Sequence, residues 1–142
     1  MALAVTGVMC HNPATSARPG HSRPENLEFD LQSPIWRHLY RELAKDHALI
    51  RYDARGNGLS DRTVDEISFE AYVSDLEAVV DAAGIARFAL LGISQGCSVS
   101  IAYAVRHPER VSHLILYGGY AVGWSKRARS AAQKEEDAAM LP

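Results

Sequence analysis

One serine, flanked on both sides by glycine, is the residue of this 142-residue chain best suited by type and spacing to do chemistry. It lies in the run Gly92-Ile93-Ser94-Gln95-Gly96, between an apolar segment typical of a buried strand and a segment that predicts a helix. A tight strand-to-helix turn of this kind lifts a serine hydroxyl above the edge of a sheet, where it can attack a carbonyl carbon. Gly92 and Gly96 would remove side chains that clash where strand and helix approach each other. We therefore predict that Ser94 is a nucleophile.

The residue after this serine has a predicted role of its own. The backbone N–H of Gln95 begins the predicted helix and can point at the oxyanion that develops when Ser94 attacks. The helix dipole adds to that stabilisation. Two other interpretations are an ordinary strand-to-helix turn and a phosphate-binding loop. A Walker loop would end in Gly-Lys-Ser/Thr and a dinucleotide site would read G-x-G-x-x-G, and this junction has neither pattern.

Alternating helices and strands are predicted to position this turn. Ser33 and Pro34 predict the start of a helix that ends near Lys45, and Ser68 predicts the N-cap of a second helix that stops at Gly84. A third helix is predicted over residues 95–107, and strands are predicted over residues 3–10, 48–52, 88–92 and 111–117. This order predicts an α/β fold with a parallel sheet flanked by helices. Residues 1–32, which include a proline-rich stretch over 11–26, are predicted to be an irregular N-terminal segment.

Two further motifs give the chain a family resemblance. Asp53-Ala54-Arg55-Gly56-Asn57-Gly58-Leu59-Ser60 resembles the D-x-R-G-x-G-x-S turn of α/β-hydrolases, and His107-Pro108-Glu109-Arg110-Val111 resembles their link out of the helix that follows the nucleophile. With the serine turn, the resemblance covers about residues 33–120. Segments 33–38 and 117–121 are closer to bacterial members that occur alone or fused to cyclase-type or LuxR-type regulatory domains.

The resemblance implies a serine hydrolase that acts on an ester, lactone or thioester through an acyl-enzyme at Ser94. It implies that residues 33–142 form a partial α/β-hydrolase domain, namely the core and the start of the cap region. Six residues are expected to shape its turns: Gly92, Gly96, Asp53, Arg55, Gly56 and Gly58.

The resemblance also implies two residues that this chain lacks, namely the acidic residue and the histidine that act together with the serine. In this family the acid and then the histidine follow the serine along the chain, and only 48 residues follow Ser94. His107 lies about 20 Å away along the predicted helix, which is too far for a general base. His113 lies early in its strand, and the start of that strand is at the edge of the sheet opposite to Ser94. His11 lies where the loop with the second oxyanion donor would be, but no glycine follows it. We therefore expect a truncated chain that lacks acid and base.

The alternatives are a catalytically inactive fragment and a non-catalytic module of the same fold that binds a ligand or a partner. A sheet that ends after Tyr117 would leave an unpaired hydrophobic edge, which predicts self-association. Asp75 and Asp81 are expected to be solvated on the polar side of their helix.

Composition narrows the class of partner. The net charge of −2 gives no electrostatic reason to expect a nucleic acid or a membrane surface as partner. Cys10 and Cys97 have no metal-ligand spacing, so neither a metal nor a cofactor is predicted. The N-terminus lacks the positively charged start of a signal peptide, and no apolar run reaches the ~20 residues of a membrane span. We expect a cytoplasmic protein with a small-molecule substrate if it is active.

Overall fold

The computed structural model describes residues 2–6, 27–34 and 36–121. Nearly all of these belong to one compact unit, residues 1–9 and 24–119. A second unit comprises residues 10–23 and 120–142, of which Tyr120 and Ala121 are described. The predicted loop over 11–26, including His11, to which no oxyanion role was assigned, therefore lies outside the described residues.

The described residues form a four-stranded parallel sheet in the order β2-β1-β3-β4. Its strands are β1 (Ala2–Thr6), β2 (Ala48–Ile50), β3 (Phe88–Ile93) and β4 (Val111–Tyr117). The helices are α1 (Leu27–Gln32), α2 (Arg37–Asp46), α3 (Phe69–Ala82) and α4 (Gly96–Arg106). Parallel neighbours need long crossover connections, and α3 and α4 each lie within one of them. The predicted α/β fold with a parallel sheet flanked by helices is confirmed.

Strand β3 is the centre of the core. All six of its residues are buried, which explains why its sequence is an almost unbroken apolar run rather than an alternating one. One sheet face, with Ala89, Leu91 and Ile93, packs against Tyr40 of α2. On the other face Phe88 contacts the ring of Tyr103 from α4, with centroids 5.8 Å apart.

The helix starts follow the predicted capping residues in one case and differ in the other. Ser68 caps α3 as predicted, because its side chain accepts a hydrogen bond from the N–H of Ala71 at 3.1 Å. Helix α2 begins only at Arg37, although Ser33 Oγ accepts from the N–H of Trp36 at 3.4 Å. The capping interaction therefore lies one turn before the regular helix.

The predicted irregular segment, residues 1–32, is corrected at two places. Residues 2–6 form β1 and residues 27–32 form α1. Strand β1 pairs on both sides, with Leu3 opposite Leu49 of β2 and opposite Ala89 of β3. Because it pairs on both sides, β1 is an internal strand of the sheet, and residues 7–10 of the predicted strand lie outside the described residues.

Candidate active site

Ser94 sits at the carboxyl end of β3 in a backbone conformation that is costly for its residue type. Its φ is 53°, and it is the one non-glycine residue with positive φ among those the structure describes. This left-handed conformation costs an L-residue roughly 1–2 kcal/mol. Ser94 is held there by its N–H, which donates to Tyr117 O at 2.8 Å, and by its carbonyl, which accepts from the N–H of Cys97 at 3.1 Å.

The turn is closed by the near contact of β3 and α4. A Cβ on Gly92 would lie 2.6 Å from Ser100 Oγ and 2.9 Å from both Cys97 Cα and Gly96 O. Distances this short leave no room for a side chain, so Gly92 permits the approach that the sequence pattern suggested. Gly96 is buried as the first residue of α4.

A glycine after β4 belongs to the same neighbourhood, and sequence reasoning missed it. A Cβ on Gly119 would lie 2.7 Å from the Cβ and Sγ of Cys97, and 4.0 Å from Ser94 O. The buried Cys97 thiol in turn donates to Gly92 O at 3.2 Å and lies 3.5 Å from Tyr117 O. The adjacent pair Gly118-Gly119 directly after a predicted strand was the available signal for this close approach.

Gln95 is exposed and stands between Ser94 and the first residue of α4. Its N–H donates to no acceptor among the described residues, as is usual for the first donors of a helix. An N–H at a helix start, one residue beyond a serine, can donate to a bound anionic oxygen. The region around His11, where the family would place the loop with a second donor, lies outside the described residues.

The glycine-rich turn after β2 is ordered by the residue that begins it. The carboxylate of Asp53 accepts from the N–H of Leu59 at 3.0 Å, and its carbonyl accepts from the hydroxyl of Ser60 at 2.5 Å. Gly58 has φ +52°, and a Cβ there would overlap the Asp53 carboxylate. Gly56 also has positive φ, at +75°.

An ion pair ties this turn to α3. Arg55 donates to both carboxylate oxygens of Asp75, at 2.8 and 2.7 Å, and to Glu66 O at 3.1 Å. The hydrogen bond to Asp75 is the main reason why the pKa of Arg55 lies above its ordinary value. The expectation that Asp75 is solvated is corrected, whereas Asp81 is exposed as expected, although it also accepts from Arg110 at 2.6 Å. Helix periodicity shows the polar face of α3 but not the arginines that reach it from elsewhere.

No described histidine is positioned to activate Ser94. The ring of His107 bonds to Glu77 at 2.8 Å, far along α4 from the turn. The other three described histidines have near neighbours in the chain as ring partners, namely Arg37 for His38, Leu43 for His47 and Ser112 for His113. The bond of His107 to Glu77 of α3 agrees with its predicted separation from Ser94.

A depression of about 850 Å³ lies on a different part of this unit. Arg55 and Asp75 line it together with the loop that follows the glycine-rich turn, whereas Ser94 does not. Within the described ranges, no group of three or more His, Cys, Asp or Glu side chains is arranged to hold a metal ion. Across those same residues, every helix is too short or too polar to span a membrane.

Comparison with known proteins gives matches over most of the chain. A family profile described as the alpha/beta hydrolase fold matches residues 21–138. A 2-hydroxymuconate semialdehyde hydrolase of Pseudomonas sp. (strain CF600) is 38% identical over 90 residues, which are 63% of this chain and 32% of that protein. Epoxide hydrolase 4 of Mus musculus is 29% identical over 83 residues, 57% of this chain and 23% of that protein.

Solved structures give the same result. A meta-cleavage product hydrolase (CumD) from Pseudomonas fluorescens IP01 superposes with a TM-score of 0.60 and 25% identity, over 87% of this chain and 41% of that one. The structure of Cfl2 from Burkholderia cenocepacia superposes with a TM-score of 0.63 at 18% identity, over 92% of this chain and 40% of the Cfl2 chain. This similarity shows the fold alone. The chain spans about a third of the length of the curated relatives it matches.

Proposed function

Because the chain belongs to the alpha/beta hydrolase fold family, we propose that Ser94 is the nucleophile of a hydrolase that cleaves an ester, lactone or thioester. The observation that carries this proposal is the φ of 53° at Ser94, between the end of β3 and the start of α4. Non-glycine residues held in such a conformation concentrate at functional sites, where the surrounding structure maintains them. The relatives matched are named as hydrolases, which supports hydrolysis as the class of reaction.

The chemistry would proceed in two halves. The Ser94 hydroxyl would lose its proton to a base as its oxygen bonds to the substrate carbonyl carbon, and the carbonyl oxygen would become an oxyanion. The N–H of Gln95 would donate to that oxyanion. The intermediate would then collapse, expelling the alcohol or thiol with a proton and leaving an acyl-enzyme. Water would then attack the acyl carbon in the same way, which would release the carboxylic acid product and the free Ser94 hydroxyl.

In this proposal the general base that takes the Ser94 proton, and the carboxylate residue that accompanies it, come from outside the described residues. The described histidines all have other ring partners. The similarity to a 2-hydroxymuconate semialdehyde hydrolase supports a small organic molecule with a reactive carbonyl group as the substrate. The narrower resemblance to members fused with cyclase-type or LuxR-type domains stays a prediction.

The absence of a histidine beside Ser94 among the described residues favours a second candidate. In that case the 142-residue chain keeps the scaffold but does not turn over substrate, as an inactive fragment or a module that binds a ligand or partner. The two candidates differ in whether the Ser94 hydroxyl is activated.

A fluorophosphonate probe distinguishes the candidates, because it labels activated serines. We expect labelling of the full chain that disappears in Ser94→Ala. Ser98→Ala is the matched control, since Ser98 is an exposed serine on the first turn of α4 whose hydroxyl donates to Gln95 O at 2.9 Å. Labelling should persist in that variant.

Two results would contradict the hydrolase proposal for this chain. One is the absence of labelling in a folded protein, checked by circular dichroism, together with hydrolysis of a p-nitrophenyl ester no faster than in buffer. The other is labelling that survives Ser94→Ala, which would place the reactive group elsewhere.

A further inference from the structure

Three parts of the turn around Ser94 meet at one buried side chain, that of Cys97. Cys97 is the second residue of α4 and is 4% exposed. Its backbone N–H donates to Ser94 O at 3.1 Å. Its thiol donates to Gly92 O of β3 at 3.2 Å and lies 3.5 Å from Tyr117 O, at the end of β4. One residue of the helix therefore contacts both the candidate nucleophile and the two strands that end beside it.

Two glycines confine the Cys97 side chain. A Cβ on Gly92 would lie 2.9 Å from Cys97 Cα, and a Cβ on Gly119 would lie 2.7 Å from both the Cβ and the Sγ of Cys97. The side chain thus lies in a narrow slot between the backbone of β3 and the backbone that follows β4. A thiol is a weak hydrogen-bond donor. Because the slot already restricts its rotation, this thiol loses little further entropy when it bonds to the strand ends.

The backbone N–H of Cys97 orients a whole peptide group. Ser94 O and the Gln95 N–H belong to the same peptide group, and the described residues contain no cis peptide bond. In a planar trans peptide group the N–H points opposite to the C=O. Since Ser94 O points at the N–H of Cys97, the Gln95 N–H points away from Cys97. The position of Cys97 therefore sets the direction of the donor that we assign to the oxyanion.

We propose that Cys97 is a positioning residue of the candidate active site. Its thiol, bonded at the ends of β3 and β4, holds the Ser94–Gln95 peptide group in the orientation that directs the Gln95 N–H at the oxyanion. Without the thiol, the first turn of α4 would shift along the strand ends and that peptide group would turn with it. The role toward the oxyanion rests on the proposed function of Ser94, whereas the hold on the peptide group does not.

Packing alone is the competing explanation for a buried cysteine, because a thiol also fills space as a small apolar group. Two substitutions separate the explanations. Cys97→Ser keeps a hydrogen-bond donor but loses the volume and apolar character of sulfur, and Cys97→Ala loses both. If packing alone mattered, Cys97→Ser would be at least as harmful as Cys97→Ala. If the hydrogen bond matters, Cys97→Ser rescues what Cys97→Ala loses.

The first experiment measures amide hydrogen exchange by NMR, which needs no activity of Ser94. The Ser94 N–H, bonded to Tyr117 O, reports on the turn. The Phe88 N–H, bonded to Arg110 O at 2.9 Å, reports on the other end of β3. In Cys97→Ala, exchange at Ser94 should become about tenfold faster relative to Phe88, the size expected for one lost hydrogen bond. Cys97→Ser should exchange like the wild type at both positions.

The second experiment measures the rate of labelling by the fluorophosphonate probe at saturating concentration. Removing an oxyanion donor outright lowers rates by about 10²–10³, so a donor that is only turned should cost less, about tenfold in Cys97→Ala. The probe concentration for half-maximal rate should stay unchanged, and Cys97→Ser should restore the rate. The matched control is Val99→Ala, which removes volume from a residue of α4 that is 1% exposed and leaves the thiol in place. It should destabilise the protein without slowing the labelling of its folded form.

Three results would overturn the proposal. The first is exchange in Cys97→Ala that is unchanged, or that accelerates equally at Ser94 and Phe88, as general loosening would produce. The second is Cys97→Ser behaving like Cys97→Ala. The third is labelling in Cys97→Ala as fast as in the wild type, which would remove the link to the oxyanion. If the wild type is not labelled while exchange in Cys97→Ala accelerates at Ser94 alone, the hydrolase proposal fails and the hold of Cys97 on the turn is confirmed.

Discussion

The strained backbone conformation of Ser94 is maintained by hydrogen bonds to its own N–H and carbonyl groups. Its N–H is fixed to Tyr117 O and its carbonyl to the N–H of Cys97, so both peptide groups around Ser94 are fixed by hydrogen bonds. Relaxing φ from 53° would break these hydrogen bonds and move the first turn of α4. The cost of the conformation is offset by the packing of α4 on β3, and Gly92 is the residue that makes this packing possible.

Gly92→Ala should therefore destabilise the protein. The added methyl group meets a side-chain hydroxyl and two backbone atoms within 2.9 Å, and backbone cannot move aside as a flexible side chain can. We expect a loss of about 1–3 kcal/mol in the free energy of unfolding, the range found for overpacked sites. Urea unfolding followed by circular dichroism measures it.

Gly84→Ala serves as the control for that substitution. A Cβ on Gly84 would meet nothing within 4 Å, but φ there is +65°. The cost should come from backbone strain alone, roughly 1–2 kcal/mol. The two variants should differ in the labelling of Ser94 by the fluorophosphonate probe. Gly92→Ala should reduce this labelling, whereas Gly84→Ala should leave it unchanged. Equal labelling in both would contradict the role assigned to Gly92.

At the scale of elements, α3 shows which features can be predicted from residues that are consecutive in the sequence. Its N-cap, its apolar face and the glycine after it are read from consecutive residues, and the helix begins at Phe69 as Ser68 predicts. Strands β3 and β4 were predicted equally closely because a run of apolar residues and the segments that bound it are local too. These elements carry the turn of the candidate site.

The cap of α3 can be tested directly. Ser68→Ala removes the acceptor of the Ala71 N–H, and we expect a loss of about 1 kcal/mol in the free energy of unfolding. Ser68→Asn restores an acceptor of similar reach and should recover most of that loss. If Ser68→Ala left the midpoint of unfolding unchanged, solvent would be replacing the cap without cost.

The features missed in the sequence depend on partners distant in the chain. Strand β1 overlaps a predicted strand, but its neighbours β2 and β3 were not predicted, because nothing in residues 2–6 identifies them. The pairing of Arg55 with Asp75 joins residues 20 positions apart, so each separately resembles a solvated charge. Gly119 contacts Cys97 only because β4 lies beside β3. Sequence patterns predicted the elements of the candidate site, and tertiary packing supplied these contacts between them.

At the scale of the whole molecule, one partly buried charge cluster links α1, α2 and the residue that follows β2. Asp30 forms an ion pair with Arg51, whose guanidinium lies 3.8 Å from the centre of the Tyr40 ring. Burial raises the pKa of Asp30 above its ordinary value, and the nearby charge of Arg51 offsets this only in part. The charge of Asp53 acts in the same direction as burial.

This shift gives the stability a pH dependence with a definite sign. Because the pKa of Asp30 is higher in the folded chain than in the unfolded one, its contribution is fully present below about pH 4 and is lost as the pH rises through the folded value. Urea unfolding of the wild type and of Asp30→Asn between pH 3 and pH 7 isolates that contribution. The wild type should lose stability relative to the variant as the pH rises. A relative gain instead would mean that the ion pair with Arg51 outweighs burial.

The position of β1 in the sheet also bears on how the chain is made. Strand β1 is synthesised before one of its two neighbours, β3, which is complete only at Ile93. The contiguous unit β3-α4-β4 needs no such wait and can form from residues close in the chain. We expect the N-terminal strand to remain without its β3 neighbour during synthesis, exposed to chaperones, and the sheet to close around it late and slowly, as long-range parallel pairing requires.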